Sequence, residues 1–262
     1  MSFRQNLRWW GRTVRPHPNR GRRPGFSPVC ASRGPCSESE FKRHVDGLAA
    51  TRRSTRTSSL EEPAALAGFV FAEQTPAVTD IRLATPHDRD PLVATVVAAF
   101  DQDPAFRAFF GSGVDFGDLA TRFVGSLLDR RLATGSVWMT DDADALAMWD
   151  PPAGSVDVPP STLQLPGDAM ARLDAYDARV HAAITAEPHW YLGILASHPS
   201  RRGEGLARLA AEPGLSAAAA AATPAVLETT NPANVEMYQR SGWVVTETLT
   251  DVIGLTVWVM AR

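Results

Sequence analysis

From Ile81 to the C-terminus the chain reads as a succession of elements with their own periodicities, whereas the first 75 or so residues show little apolar periodicity of any kind. Ile81 to Ala84 predicts a strand. Pro86 to Phe100 follows as a helix, with Leu92, Val93, Val96, Val97 and Phe100 on one face. Asp101 to Phe110 predicts a turn and second helix around Asp103-Pro104, and Leu119 to Leu132 a third helix with Phe123, Leu127 and Leu128 inward. Val137 to Thr140 and Ala145 to Trp149 are apolar runs joined by the acidic turn Asp141-Asp142-Ala143-Asp144, the pattern of two paired strands. Pro151 to Pro166, rich in Pro, Ser and Gly, reads as a loop. An amphipathic helix from about Asp168 to Thr185 comes next, its packed stripe drawn from Met170, Leu173, Val180 and Ile184. Tyr191 to Ser197 predicts a buried central strand, Gly205 to Ala222 a long Ala-rich helix and Ala225 to Glu228 another strand. Asn234 to Ser241 predicts a short helix, and Trp243 to Thr248 with Leu255 to Met260 complete a sheet.

Strands and helices in this alternation make an α/β domain, and the stretch from Ile81 to Arg262 is long enough for one full core. Charge divides the chain at nearly the same place. Residues 1–56 hold 13 of the 26 Lys and Arg with only Glu38, Glu40 and Asp46 against them, a formal +10, and the remainder carries a formal −13. The expected organisation is a basic, Arg/Pro/Ser-rich, disordered extension over 1–77 and one catalytic-type domain over 78–262. Three accounts of the extension stay open: a translation start set too early, with Val78 as the initiator; an anion- or nucleic-acid-binding arm; and an organellar presequence, which Pro and Gly across Arg15 to Pro28 disfavour. No run approaches the roughly 18 apolar residues of a membrane span.

Both cysteines, Cys30 and Cys36, fall in the extension, so the domain has no thiol and no disulfide. That suits a cytoplasmic protein and excludes a cysteine acyl-enzyme. His87, His181, His189 and His198 show no metal-ligand spacing and have no cysteine partner, so no metal is expected.

The densest chemical signal is His198-Pro199-Ser200-Arg201-Arg202-Gly203-Glu204-Gly205-Leu206-Ala207, placed directly after the central strand. Glycines one residue apart let successive backbone N–H groups turn toward one point. Two arginines add fixed positive charge, and the helix that follows aims its N-terminal dipole there. A diphosphate is the natural guest. The spacing RxxGxA from Arg202 through Gly205 to Ala207 resembles the acetyl-CoA loop of the GNAT acyltransferases. The segment from Val226 to Trp243 is similar to that family's second signature: a strand, an Asn-containing turn, a short helix bearing a tyrosine, then Gly and an aromatic. Within the family, VWMTDDADALAMWDPP, WYLGILASHP and LETTNPANVEMYQRSGW resemble the puromycin N-acetyltransferase group, with the match weak over 107–136 and 153–188.

The resemblance implies a GNAT acyltransferase fold: a mixed, mostly antiparallel sheet with a splayed central strand and helices on both faces. It implies acetyl-CoA as co-substrate, its pantetheine arm inserted along Leu195, Ala196 and Ser197 and its diphosphate held by Arg201, Arg202, Gly203, Glu204, Gly205, Leu206 and Ala207, with Arg202 at the motif's basic position. Tyr238 matches the family tyrosine near the thioester sulfur and is the expected general acid, since a phenol can protonate a departing thiolate. Glu228 is the expected general base for an alkylammonium acceptor. Asn231 and Asn234 would bond to the CoA arm or cap their helix. Asp103 and Trp149 would line the acceptor pocket as ammonium partner and aromatic wall. Each residue also has an architectural reading: Tyr238 as packing, Glu228 as a carboxylate ordering the asparagine turn, Asp103 and Trp149 as turn and core. Glu212, on the phosphate helix where similar proteins tend to be apolar, would pair with Arg208 if that face is exposed.

The reading that follows is an N-acetyltransferase acting by direct transfer, as a monomer or homodimer, on a small primary amine, puromycin or another amine antibiotic or metabolite. The alternatives are a protein or peptide amine acetyltransferase, a non-catalytic acyl-CoA-binding module, or a nucleic-acid-associated protein by virtue of the basic arm.

Overall fold

Apolar side chains at alternating positions sort two ways in each central strand, and the two sets build two separate cores. The computed structural model describes residues 79–262, which lie within one compact unit; the extension over 1–77, with Cys30 and Cys36, lies outside the described residues. Seven strands form one sheet: β1 (Ile81–Leu83), β2 (Val137–Thr140), β3 (Ala145–Asp150), β4 (Trp190–Ser197), β5 (Ala225–Thr229), β6 (Val244–Val252) and β7 (Leu255–Ala261), in the order β1-β2-β3-β4-β5-β7-β6. Every neighbouring pair is antiparallel except β4 and β5.

Val137, Met139, Leu146, Met148, Ile194, Ala196, Val226 and Val259 point to one face. There they meet α1 (Arg89–Ala99), α2 (Pro104–Phe110), α3 (Phe116–Ala133) and α4 (Gly167–Ala183), through Leu92, Val96, Phe109, Phe123, Leu128 and Leu173. The residues between them, Trp138, Ala147, Trp149, Trp190, Leu192 and Leu227, point to the other face. That face is covered by α5 (Leu206–Ala220) through Ala210, Ala211 and Ala218, and by α6 (Pro232–Arg240) through the half-buried Val235 and Tyr238.

The sequence reading and the structure differ mainly at element ends. Pro86–Asp88 is a separate turn of 3₁₀ helix, with Thr85 and Asp88 closing a capping box. The helix α3 begins at Phe116, three residues before the expected Leu119. The helix α6 begins at Pro232 because Asn231 accepts the Ala233 N–H at 3.0 Å and Pro supplies the first helical residue. The strand β6 runs on to Val252, where Ile253-Gly254, both at positive φ, make the two-residue turn into β7. The loop between β3 and α4 is held to α3 by Arg130, whose Nε donates to the Pro159 carbonyl at 3.1 Å, and by the contact between the Ser126 and Ser161 hydroxyls at 3.1 Å.

Candidate active site

Two edges of one strand define the site. Along β3 the strand β4 is paired from Asp150↔Tyr191 to Ala145↔Ser197. Against β5 it is paired only at Trp190↔Ala225 and Tyr191↔Val226. Beyond Tyr191 the strands part, so Leu195, Ala196 and Ser197 face an opening on the β5 side, an edge that can accept an extended ligand as an added strand. The register against β3 slips between Met148 and Trp149, with Ile194 opposite the first and Leu192 opposite the second, which leaves Gly193 as the extra residue of a β-bulge. A Cβ at Gly193 would come within 2.8 Å of Arg131 Nη2 and 3.2 Å of Tyr191 Cε1, so glycine is what lets both side chains sit beneath the bulge.

At the open end of β4, Pro199–Arg201 forms one 3₁₀ turn and the chain passes through Gly203 at φ +88 and Gly205 at φ +77 into α5. Both conformations favour glycine. The first hydrogen bond of α5 runs from the Leu209 N–H to the Gly205 carbonyl at 3.1 Å, so the N–H groups of Leu206, Ala207 and Arg208 stand ahead of the ladder, as at any helix start. The two arginines have different surroundings. Arg201 is bound by three carboxylates: Asp142 at 3.0 Å and Asp144 at 2.6 Å in the β2–β3 turn, and Glu204 at 2.9 Å within the loop. It pins the loop to the sheet. Arg202 is exposed, and its Nη2 donates to the Ala99 carbonyl at the end of α1 at 3.0 Å. Glu212 pairs with Arg208 at 3.6 Å, the arginine exposed and the carboxylate partly so, as the helical spacing predicts.

The body of α5 lies close on the sheet. Pro213 withdraws one N–H from the helix ladder, and at Gly214 a Cβ would meet the Trp149 indole at 2.3 Å. Trp149 is fully buried there, edge-on to Trp190 with ring centroids 6.4 Å apart. It is therefore a core residue under α5 and not the wall of an acceptor pocket; its place on β3 gives it the parity of the face opposite Glu228.

Glu228 projects from β5 to the face carrying α1 to α4, and the Tyr191 hydroxyl donates to its Oε2. Burial is the main cause that raises the Glu228 carboxyl to about 7. The Tyr191 hydrogen bond and the Arg131 charge act downward, and the Asp177 charge acts upward. Asp177, on α4, is itself raised to about 7, by burial and then by Asp174. Arg131, almost wholly buried, pairs with Asp150 and donates from Nη1 to the Leu127 carbonyl at 3.3 Å. Asp103 caps α2, its Oδ1 accepting the N–H groups of Ala105 at 2.9 Å and Phe106 at 3.1 Å, and burial raises its carboxyl. Tyr238, half-buried on α6, stacks edge-on with Trp243 at 5.9 Å. Its phenol is raised by burial and then by the fields of Glu228 and Asp103. Asn234 donates to Thr229 Oγ1 at 3.4 Å, and Asn231 serves as the α6 cap, so both asparagines order the turn after β5.

The opening between β4 and β5 thus has a carboxylate near neutrality on one side, a protonated phenol on the other, and a glycine loop with a helix start at its end. Such a set can take a proton from one partner and give one to another. Tyr191, Asp177 and Arg131 were not singled out from the sequence. Two of them carry a readable signal: Asp177 lies on the Leu173–Val180–Ile184 stripe and Arg131 four residues after Leu127, charged groups on packed helix faces.

Several solved structures with the same chain path are acetyltransferases. One is a histone acetyltransferase HPA2 and related acetyltransferase from Corynebacterium glutamicum, 20% identical, with a TM-score of 0.52, covering 70% of this chain and 95% of that one. The chain has the GNAT fold. Arylalkylamine N-acetyltransferase 2 from Aedes aegypti matches at 12% identity and a TM-score of 0.54, over 71% and 98% of the two chains. The polyamine N-acetyltransferase of Drosophila melanogaster matches at 11% and 0.52, over 70% and 98%. No family model matches the sequence. Among the described residues no helix is long and apolar enough to cross a membrane.

Proposed function

We propose that this protein is an N-acetyltransferase that moves an acetyl group from acetyl-CoA to the primary amine of a small molecule, both substrates being bound together. The observation that carries the reading is the parting of β4 from β5 after Tyr191 and Val226, with Glu228 and Tyr238 within electrostatic reach of one another beside it. The unpaired edge at Leu195 to Ser197 suits the amide-bearing pantetheine arm, and the N–H groups from Gly205 to Ala207 with Arg202 suit the diphosphate. Glu228 accepts the proton of the incoming ammonium, whose ordinary pKa near 10 keeps it charged in water. A base near 7 is matched to that task at neutral pH. The freed amine attacks the thioester carbonyl; as the C–S bond breaks Tyr238 delivers its phenolic proton to the thiolate, the nitrogen of the adduct gives up its second proton to restore the phenol, and Glu228 releases the first to water.

The acceptor is small and cationic in this reading. Asp103, Asp177 and Glu228 give the site a negative field, and two of the similar structures are named for arylalkylamines and polyamines, the latter enzyme forming N-acetylagmatine. Puromycin or a related aminoacyl nucleoside is the acceptor that the sequence resemblance favours. The test is CoA thiol release from acetyl-CoA by the full-length protein against puromycin, arylalkylamines, agmatine, polyamines and short peptides. Release with one or more small amines is expected. Release with peptides alone would move the acceptor to protein amines, and acetyl-CoA binding without release across the panel would sink the enzyme reading.

A further inference from the structure

Glu228 does not stand alone on its face of the sheet. Tyr191 is the last residue of β4 still paired with β5, and Glu228 lies two residues beyond its partner Val226, so the strands bring the two side chains together where they begin to part. Tyr191 is buried, and its hydroxyl donates to Glu228 Oε2. Its ring lies against the bulge glycine, where a Cβ would stand 3.2 Å from Cε1. Beside it under the same glycine, Arg131 is fixed to Asp150 and to the Leu127 carbonyl. A phenylalanine would fill the same apolar space in β4, so packing does not account for the hydroxyl.

We infer that Tyr191 is a positioning residue for Glu228: its hydroxyl fixes one carboxylate oxygen, turns the other toward the opening between β4 and β5, and favours the ionised form that accepts the substrate's proton. The inference rests on the reading of Glu228 as the base. Two charged groups act on the same carboxylate from the packed helices, Asp177 from α4 and Arg131 from α3, and the carboxylate in turn raises the Tyr176 phenol on α4 and the Tyr238 phenol on α6; Asp103, ahead of α2, acts on those two phenols. Arg131 works in the same direction as Tyr191, whereas Asp177 opposes it. Tyr191 differs from these in bonding directly to the carboxylate. Its own phenol is held far above its ordinary value by burial and by Glu228, so it remains a donor throughout the working pH range.

The experiment is a titration of the Glu228 carboxyl by ¹³C NMR in full-length wild-type protein and in Tyr191→Phe, with no substrate present. Loss of a donor to the charged form should move the Glu228 midpoint up by about one pH unit. In turnover with an amine found active in the panel, the acid limb of kcat/KM should move up by the same amount, with activity recovering toward wild type above the new midpoint. A midpoint that stays or falls, or an activity loss equal at every pH, overturns the inference. In wild-type protein the Tyr191 Cζ resonance should inflect at the Glu228 midpoint, and a flat response there also overturns it. Turnover that survives Glu228→Gln would instead overturn the base reading, leaving the pair a structural contact.

Discussion

The two faces of the sheet each carry a buried apolar core but are built from different materials. Beneath α1 to α4 the core admits ionisable groups: Glu228 bonded to Tyr191, Arg131 paired with Asp150, and Asp177 half-buried on α4. Beneath α5 and α6 the core is tryptophan, leucine and alanine, and the indole N–H groups of Trp149 and Trp190 are buried without a hydrogen-bond partner among the described residues. The first face spends folding stability on groups whose charge is costly to bury. The second gains it through close approach of helix and sheet. On the proposed mechanism the two faces divide the work: Glu228 and the groups that tune it lie beneath α1 to α4, while Tyr238 and the helix that follows the glycine loop pack on the other face.

The sharpest way to break this comparison is Glu228→Gln. On the proposed mechanism it should lower kcat/KM at pH 7 by about 10²–10³-fold, while acetyl-CoA affinity stays within about twofold. The same change should alter stability in the opposite sense at alkaline pH. Burial raises the folded-state Glu228 carboxyl from 4.5 to about 7, so between those values the folded protein holds the proton more firmly than the unfolded chain. Stability from this group is complete below about 4.5 and is lost as pH rises through about 7. The Gln variant lacks that loss, so from pH 4.5 to 8 it should gain on the order of 2 kcal/mol relative to wild type, measured by urea unfolding at the two pH values. Asp177 acts with the same sign and persists in both proteins. Asp88, lowered by Arg82, is already fully ionised across that window.

The opposite face should respond to volume and not to pH. Gly214→Ala places a Cβ 2.3 Å from Trp149, forcing α5 outward. A net destabilisation of about 2 kcal/mol is expected after the helix-propensity gain of roughly 1 kcal/mol is offset. Trp149→Leu in the same chain should make the two changes cost less together than separately, since the second opens the space that the first needs. Strictly additive costs would mean that the helix does not rest on this indole.

How much of this was legible in the sequence follows from the same contrast. The face of alternating apolar residues could be read directly: Val137, Met139, Leu146 and Met148 against Trp138, Ala147 and Trp149 is period two, and the helices follow from their stripes. The place of the glycine loop between β4 and α5, and of Tyr238 on a short helix, could be read because those signals are local. Which face a residue takes relative to the site is not local, and there Trp149 went astray. Its neighbour in space is Gly214, 65 positions away in the chain, and the bulge that resets the parity of β4 is marked only by one glycine, Gly193, in an apolar run. Tyr191 was read only as the start of a strand, because its role depends on a carboxylate from another strand. Element ends shifted where caps decide them, as at Asn231-Pro232.

Tyr238 sits at the boundary between the faces, packed with Trp243 on one side and within the field of Glu228 on the other. Tyr238→Phe keeps the packing and removes the proton. Turnover should fall roughly 10–50-fold, with acetyl-CoA affinity unchanged and thermal midpoint within about 2 °C of wild type. A stability loss without a turnover loss would assign the residue to the core alone.

The smallest effects belong to the two arginines of the loop, and their difference extends the comparison to the end of the site. Arg202 is exposed and holds one carbonyl, so its charge is available to a diphosphate; Arg201 already faces Asp142, Asp144 and Glu204. Arg202→Ala should weaken CoA binding about fivefold at low salt, the deficit shrinking as salt screens the charge, with unfolding unchanged. Arg201→Ala should instead lower stability slightly, as loss of solvent-screened ion pairs does, and weaken CoA only as far as the loop loosens from the β2–β3 turn. Calorimetric titration of CoA at two ionic strengths, beside urea unfolding, separates the two. Equal salt-dependent losses of affinity would show that Arg201 exchanges its carboxylates for the ligand. The loop would then be a moving part, not a fixed cradle.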